Sequence, residues 1–201
     1  MSVSVVKNKD FKIEFDEKRI LRLIGYKKKS KEIKEPIKKL IAEEKNKLDY
    51  LLHPESIHTI IDYEQMSRHP IFKDAEKVAL CICTIGPELE AEVNDLMKKN
   101  EMLKALILDA LGSEAAEETA IQSDQILAKK AREMDLWPSK RFSPGYGKWN
   151  IKEQRYVFQM LPGQEIGVRL TESCMMIPRK SISFRINFYR EQKLTTRKRG
   201  L

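Results

Sequence analysis

The sequence predicts an α+β fold with long helices in the middle of the chain and strands towards both ends. A helical pattern of apolar residues continues across residues 101–133. An apolar run at residues 76–86 is bounded by a Gly-Pro pair, and further strand-like segments follow at residues 165–173 and 180–189. The 201 residues, of which 41% are hydrophobic, are enough for one buried core.

An edge strand and two helices are predicted for the first part of the chain. Residues 1–15 alternate between apolar and polar side chains, which indicates an edge strand. Asp16 is the expected N-cap of a short amphipathic helix, and Gly25 is its expected C-cap. A second helix is predicted to begin at Pro36 and to end at Pro54.

Helices and strands alternate along the rest of the chain. Gly112 lies inside the longest predicted helix, where glycine costs about 1 kcal/mol relative to alanine. We expect either close packing or the approach of a ligand to explain this glycine. The predicted strands are residues 57–66, 76–86, 165–173 and 180–189, and the predicted helices are residues 88–100, 101–133 and 151–161.

Charge is distributed unevenly. The net charge is +8, but residues 1–50 carry +6, residues 51–137 carry −8 and residues 138–201 carry +10. Nucleic-acid binding is one hypothesis for the basic C-terminal third. The acidic middle and the lack of a known nucleic-acid motif argue against it, so no nucleic-acid partner is expected. The lysine run at residues 27–29 is predicted to be a solvated face, and the basic tail at residues 197–199 to be disordered.

The cysteines and histidines are predicted to have structural roles. Cys81 and Cys83 share one face of a predicted strand, where core packing is favoured over a two-ligand metal clip. Three cysteines in total argue against a disulfide framework. His53, His58 and His69 lack the spacing of a metal motif, so surface or capping roles are favoured and no metal site is predicted.

Membrane and secretory segments are not expected. The longest apolar run, at residues 78–85, is far too short to span a bilayer. The N-terminal residues have no apolar stretch of signal-peptide length. The sequence therefore predicts a cytoplasmic protein without a membrane partner.

Residues 141–147, Arg-Phe-Ser-Pro-Gly-Tyr-Gly, are chemically the most informative segment. Pro144 fixes its own φ, and Gly145 permits a tight or left-handed turn. Tyr146 adds an aromatic wall, and Arg141 adds a planar fork for a carboxylate or phosphate. Physical reasoning leaves two interpretations open: a plain surface turn, or a site that offers backbone groups to a flat heterocycle and an arginine to its anionic end.

This segment and the residues after it resemble the activation (reactivation) domain of cobalamin-dependent methionine synthase. That family has an R-x-x-P-G-Y segment, an apolar helix, an L-T-E-S segment, an aromatic or methionine stretch, a proline and an S-[VI]-S strand. The matching residues are Arg141, Pro144, Gly145, Tyr146, Leu170, Thr171, Glu172, Ser173, Met175, Met176, Pro178, Ser181, Ile182 and Ser183. The resemblance implies a mixed, mostly antiparallel sheet with long central helices.

The resemblance also divides the chain into two parts. Residues 71–201 are expected to form the activation-domain-like core, which contains the S-adenosylmethionine motif. Residues 1–70 resemble the family poorly and are expected to form a helical and strand extension packed on that core. The sequence contains no cobalamin-binding D-x-H-x-x-G segment, so we expect a stand-alone activation subunit.

The resemblance implies a function within the methionine synthase (5-methyltetrahydrofolate–homocysteine methyltransferase) system. In that family the domain binds S-adenosylmethionine for the reductive methylation of Co(II) cobalamin, with one electron from a flavodoxin-type donor. The expected partner is a cobalamin-binding methionine synthase or a related corrinoid protein, which carries the cobalamin. The cofactors supply the chemistry, so no catalytic residue is assigned.

Seven residues are assigned to the S-adenosylmethionine site by the resemblance. Arg141, the backbone of Ser143, the backbone of Gly145, and Tyr146 come from the R-x-x-P-G-Y segment. Three acidic residues are the other candidates: Asp135, six residues before the arginine, and Glu114 and Glu117, one of which supplies the family carboxylate on the preceding helix. Ser113 is the alternative occupant of that helix position. A solvated helix face is the alternative for both glutamates.

Two features leave alternatives open. The pair Met175 and Met176 either faces the corrinoid or fills the core. Residues 184–186, Phe-Arg-Ile, stand where the family has a tyrosine, so one family contact is absent or replaced. This departure motivates an alternative function, in which the protein caps a corrinoid protein without using S-adenosylmethionine.

Overall fold

The computed structural model describes residues 4–26, 35–66, 75–147 and 149–191. The lysine run at residues 27–29, His69 and the tail at residues 197–199 lie outside the described residues. The strands are β1 (Val5–Asn8), β2 (Glu55–Asp62), β3 (Lys77–Thr84), β4 (Trp137–Pro138), β5 (Arg169–Leu170), β6 (Met176–Ile177) and β7 (Ser181–Tyr189). The α-helices are α1 (Glu17–Leu23), α2 (Glu35–Lys45), α3 (Leu48–Leu51), α4 (Glu88–Lys98), α5 (Met102–Glu133) and α6 (Gln154–Met160).

The main sheet has five strands in the order β1-β2-β3-β7-β4, and every neighbouring pair is antiparallel. β1 is an edge strand, as the alternation in the sequence predicts. A second, two-stranded sheet consists of β5 and β6. Because β1 and β2 belong to the main sheet, residues before 70 contribute to the same sheet as the C-terminal strands. The division at residue 70 stays a prediction.

Local capping explains where the first helix lies. The Asp16 carboxylate accepts hydrogen bonds from the backbone N–H groups of Lys18 at 2.9 Å and Arg19 at 3.4 Å. Gly25 follows the helix with φ +94°, a value that favours glycine. The second predicted helix is broken into α2 and α3 by the turn at residues 46–47.

The prediction of a strand at residues 165–173 is largely wrong. A 3₁₀ helix occupies Gly163–Ile166, and Gly167 adopts a left-handed φ of +71°, so that only β5 is extended. β6 lies between the strands predicted at residues 165–173 and 180–189, where no strand was predicted. The strand predicted at residues 57–66 instead ends at Asp62 and continues as a 3₁₀ helix over Tyr63–Met66.

β3 is buried on both faces. Cys81 and Cys83 belong to the cluster between the sheet and α5, whereas Leu80 and Ile82 pack with residues of α6 and the Gly163–Ile166 turn. The predicted core role of the two cysteines is therefore confirmed. Burial raises the pKa of the Cys83 thiol to about 12. Within the described ranges, no three His, Cys, Asp or Glu side chains are grouped as a metal site would require.

Helices α1 to α4 pack against the first half of α5 in a separate apolar cluster. A Cβ atom at Gly112 would lie 2.5 Å from Leu89 Cδ2, so close packing of α4 on α5 explains this glycine. Along the described parts of the chain, no helix is both long enough and apolar enough to cross a bilayer.

His58 is buried, with 2% of its surface exposed, so the predicted surface or capping role is wrong for this residue. It lies on β2, and its Nδ1 atom is 3.2 Å from Asn8 Nδ2. Burial, together with the charge of Lys130, lowers the pKa of His58 to about 4. His53, by contrast, is exposed at the end of the loop before β2.

We predict that the fold loses stability as pH falls from 7 to 5. The unfolded chain protonates His58 near pH 6.5, but the folded protein does not until about pH 4. The unfolded state therefore binds more protons in this window, with a limiting slope of about 1.4 kcal/mol per pH unit. Urea unfolding at both pH values measures the loss, which should be smaller in His58→Gln. An equal loss in both proteins would contradict the prediction.

Candidate functional site

The segment that precedes the turn at residues 143–146 is fixed to the edge of β7. Ser139 N–H donates to Asn187 O at 2.8 Å, and the Ser139 hydroxyl accepts from Asn187 N–H at 3.0 Å. Further along, Phe142 and Arg185 exchange two backbone hydrogen bonds of 2.9 and 2.8 Å. Arg141 therefore lies on a stretch of chain whose backbone is held by the sheet.

The turn itself depends on glycine. Gly145 has φ +91°, and its N–H donates to Trp149 O at 2.7 Å. Tyr146 N–H donates to Ser143 O at 3.3 Å, and Trp149 N–H donates to Tyr146 O at 3.1 Å. Trp149 is 2% exposed, so the end of this loop is anchored in the core while Tyr146 at its tip is exposed.

The opposite wall is the tight turn that joins β5 to β6. Thr171 N–H donates to Met175 O at 2.9 Å, and Met175 N–H donates to the Thr171 hydroxyl at 2.9 Å. Gln154 attaches this turn to the sheet, because its amide donates to Cys174 O at 3.1 Å and accepts from the Ser183 hydroxyl at 3.2 Å. Gln154 is buried, so both bonds lie away from bulk water.

Between these walls lies a cleft of about 560 Å³. Its lining combines polar groups with apolar side chains: Glu117, Arg141, Phe142, Ser143, Pro144, Tyr146, Ile151, Gln154, Cys174, Met175, Met176, Arg179, Ser181, Ile182 and Ser183. Tyr146 and Met175 are 71% and 56% exposed. A mixed lining of this kind, in a cleft of this size, is typical of a small-molecule site.

A charged pair lies in the cleft. Arg141 Nη2 donates to Glu117 Oε1 on α5. The Arg141 guanidinium also lies 5.9 Å from the centre of the Phe184 ring. Arg141 Nη1 is buried and has no hydrogen-bond partner among the residues that the structure describes. Because Arg141 lines the cleft and its guanidinium carries charged N–H donors, the pair is suited to an anionic ligand.

Four of the seven predicted site residues line the cleft: Arg141, Ser143, Tyr146 and Glu117. Gly145 forms the turn between lining residues Pro144 and Tyr146. Their roles in ligand binding stay predictions.

Glu114 and Asp135 lie elsewhere. Glu114 is 4% exposed and accepts a hydrogen bond of 3.2 Å from Arg19 Nη1 on α1. Burial works against the charge of Arg19, but the nearby Glu114, Glu117 and Asp16 raise its pKa above the ordinary value. Asp135 is exposed just after α5, with φ +56°, and does not line the cleft.

Sequence reasoning missed several lining residues. Ser181 and Ser183 belong to the S-x-S strand on which the resemblance rests, which was a signal that they lie near the site. Gln154 gave no signal, because a polar residue in an amphipathic helix is ordinarily solvent-exposed. Met175 and Met176 both line the cleft, and Met176 also packs against the core.

Residues 72–192 match the protein family described as vitamin B12 dependent methionine synthase, activation domain. The chain belongs to this family. The match includes both walls of the cleft, from the loop at residues 141–149 to the turn between β5 and β6. The sequence-based resemblance to this activation domain is therefore confirmed. No curated protein matches the chain.

Among solved structures, the chain is similar to the MetH reactivation domain bound to AdoHcy. The TM-score is 0.71 at 15% sequence identity, and the match covers 95% of this chain and 80% of that chain. At this identity the likeness shows the fold alone, and it confirms the predicted α+β class. The coverage extends into the residues before 70, where the sequence resemblance was poor.

We predict that Gln154→Ala loosens the turn between β5 and β6. The change leaves a buried carbonyl at Cys174 and a buried hydroxyl at Ser183 unpaired, which should cost about 1–3 kcal/mol of unfolding free energy. Urea denaturation measures the loss, and amide exchange should rise at Cys174 and Met175. The exposed Gln164→Ala is the matched control. Equal stability of the two variants would contradict the prediction.

Proposed function

We propose that this protein binds S-adenosylmethionine in the cleft and serves the reductive methylation of Co(II) cobalamin on a methionine synthase or a related corrinoid protein. Membership of the activation-domain family supports a role in the activation of methionine synthase. The observation that supports this ligand is the charged pair in the lining of the cleft, where Arg141 Nη2 binds Glu117. A similar fold was solved with AdoHcy, which differs from S-adenosylmethionine by the methyl group.

The residues of the cleft fit this ligand. The volume of about 560 Å³ falls within the range of about 300–1,000 Å³ that is common for small-molecule sites. Arg141 and Glu117 offer one positive and one negative group, which complement the carboxylate and ammonium of the amino-acid end. Phe142 and Tyr146 offer aromatic surface to the heterocycle.

The contribution of this chain is binding and orientation. When bound, S-adenosylmethionine supplies the methyl group, which the partner's cobalamin accepts together with an electron from a flavodoxin-type donor. Arg141 and Glu117 hold the amino-acid end, and the loop at residues 141–149 limits how the ligand lies in the cleft. Fixing this geometry lowers the entropic cost of reaction, whereas the cofactors supply the chemistry.

The partner proteins are part of the same proposal. We propose a cobalamin-binding protein and a flavodoxin-type electron donor as partners, with this chain acting as a separate activation subunit. The net charge of +10 over residues 138–201 supports association with acidic surfaces through electrostatic steering. Association that is insensitive to salt would count against this part of the proposal.

A second candidate function is a capping module that binds the corrinoid protein without using S-adenosylmethionine. The Phe184-Arg185-Ile186 segment favours it, because the family tyrosine is replaced there. In the structure Phe184 and Ile186 are buried in the cluster beneath α5, and Arg185 faces the loop at residues 141–149.

We predict that Arg141→Ala weakens S-adenosylmethionine binding by about 10- to 100-fold, because a charged hydrogen bond in a partly buried site is worth roughly 1.5–3 kcal/mol. Isothermal titration calorimetry measures the affinity. Arg132→Ala, at an exposed position near the end of α5, should bind as the wild type does. If the wild-type protein fails to bind S-adenosylmethionine even when the cobalamin partner is present, the proposal that it binds this methyl donor is wrong.

A second prediction separates the two functions. The purified protein is mixed with a Co(II) corrinoid protein, a reductant and S-adenosylmethionine, and methylcobalamin is followed by its absorbance. We expect methylcobalamin to form, and to form more slowly with Arg141→Ala. Binding to the corrinoid protein without methylcobalamin would instead favour the capping module.

A further inference from the structure

We propose that Arg185 is a positioning residue of the cleft, whose guanidinium holds Phe142 and Trp149 together and so fixes both ends of the loop between them. Of this loop the structure describes residues 142–147 and 149, and several of them line the cleft. The effect of Arg185 on ligand binding therefore rests on the proposed S-adenosylmethionine function. Arg185 itself does not line the cleft.

The geometry consists of one cation between two aromatic rings. Arg185 Cζ lies 5.5 Å from the centre of the Phe142 ring and 5.2 Å from the centre of the Trp149 ring. Both distances are within the roughly 6 Å at which a cation is attracted to an aromatic face. Phe142 opens the loop and Trp149 closes it, so a single side chain contacts both ends.

The backbone of Arg185 reaches only one of these ends. It exchanges two hydrogen bonds with Phe142, of 2.9 and 2.8 Å, which any residue at this position can make. The contact with the Trp149 ring, in contrast, comes from the side chain. Trp149 O accepts from Gly145 N–H at 2.7 Å, so the position of Trp149 also sets the turn at Gly145.

Phe142 transmits this effect to the cleft. Its ring contacts Arg185, and its Cζ edge lies close to Gly147, where a Cβ atom would be 3.2 Å from Phe142 Cζ. The ring is 39% exposed and lines the cleft. Because Phe142 lines the cleft, the orientation of its ring affects what surface the cleft offers to a flat heterocycle.

The guanidinium of Arg185 is a buried cation that its neighbours stabilise. Arg185 is 9% exposed, and burial lowers its pKa below the ordinary value. A buried cation is costly, and an apolar residue of similar size at such a position is often neutral or stabilising. The two rings and the hydrogen bond from Arg185 Nη1 to Asn187 Oδ1 offset part of this cost. Arg185 therefore makes contacts with both rings and with Asn187 that a neutral side chain of similar size would lack.

Amide hydrogen exchange tests the positioning role without any ligand. Arg185→Met keeps the length of the side chain and removes its charge. We expect the amides of Gly145 and Trp149 to exchange at least about tenfold faster, while those of β3 remain within about twofold of wild type. Arg185→Lys should restore slow exchange in part, because it keeps a cation beside the rings.

Arg190→Met is the control for exchange, because Arg190 is exposed just after β7 and pairs with Glu76. It should leave the loop amides unchanged. Faster exchange throughout the sheet in Arg185→Met, or no change in the loop, would overturn the proposal.

Binding provides the second readout. S-adenosylmethionine affinity should fall about tenfold in both Arg185→Met and Phe142→Leu, and the loss in the double variant should be smaller than the product of the two single losses, because both changes remove the Arg185–Phe142 contact. Losses that multiply would show independent effects and overturn the proposal. If Arg185→Met does not fold, Arg185→Gln, which also lacks the charge, gives the same comparison with Phe142→Leu. If the wild type does not bind, the proposed function is wrong, whereas the exchange result still decides the role of Arg185.

Discussion

The two-residue alternation of β7 is the constraint on which the rest of the site depends. Phe184 and Ile186 are buried in the cluster beneath α5, whereas Ser183 and Arg185 face the opposite side of the sheet, towards Gln154 and the Phe142 ring. A slip of one residue in the pairing with β3 would exchange these sets and remove both the core and the cleft. Eight consecutive residue pairs between β3 and β7 hold this register.

The same alternation extends to the neighbouring segment. Arg141 and Phe142 are adjacent on an extended stretch, so they face opposite sides of the sheet. Arg141 binds Glu117 on α5, and Phe142 contacts Arg185. The cleft therefore lies at the edge of the sheet and takes residues from both faces. Along α5, the other carboxylate, Glu114, is already bound by Arg19, so Glu117 is the one that meets the cleft.

Elements whose sequence pattern is local could be predicted, and those set by distant contacts could not. The helical period of α5, the apolar run of β3 and the cap at Asp16 each depend on residues close in sequence, and all three are confirmed. β5 and β6 are two residues each and depend on a turn held by Gln154, which is far away in sequence. Burial of His58 likewise depends on strand order.

For the cleft, the sequence indicated the turn at Gly145 and the arginine before it, because glycine, proline and arginine have properties that do not depend on context. It could not choose between Glu114 and Glu117. They are three residues apart on the same helix, and only the packing of α1 distinguishes them. Motif spacing also could not indicate that Asp135 lies at the exposed end of α5, outside the lining of the cleft.

The cleft has a loop that is fixed by contacts within the chain, and this bears on how a ligand binds there. Its loop is held by backbone bonds to β7 and by the buried Trp149, so little conformational entropy remains to be lost on binding. Tyr146 on this loop is 71% exposed, and Met175 and Ile151, which also line the cleft, are 56% and 39% exposed. Apolar groups clustered at the mouth of a cleft are typical of a surface that a partner buries. Under the proposed function, the corrinoid partner buries these side chains when it docks at the mouth of the cleft.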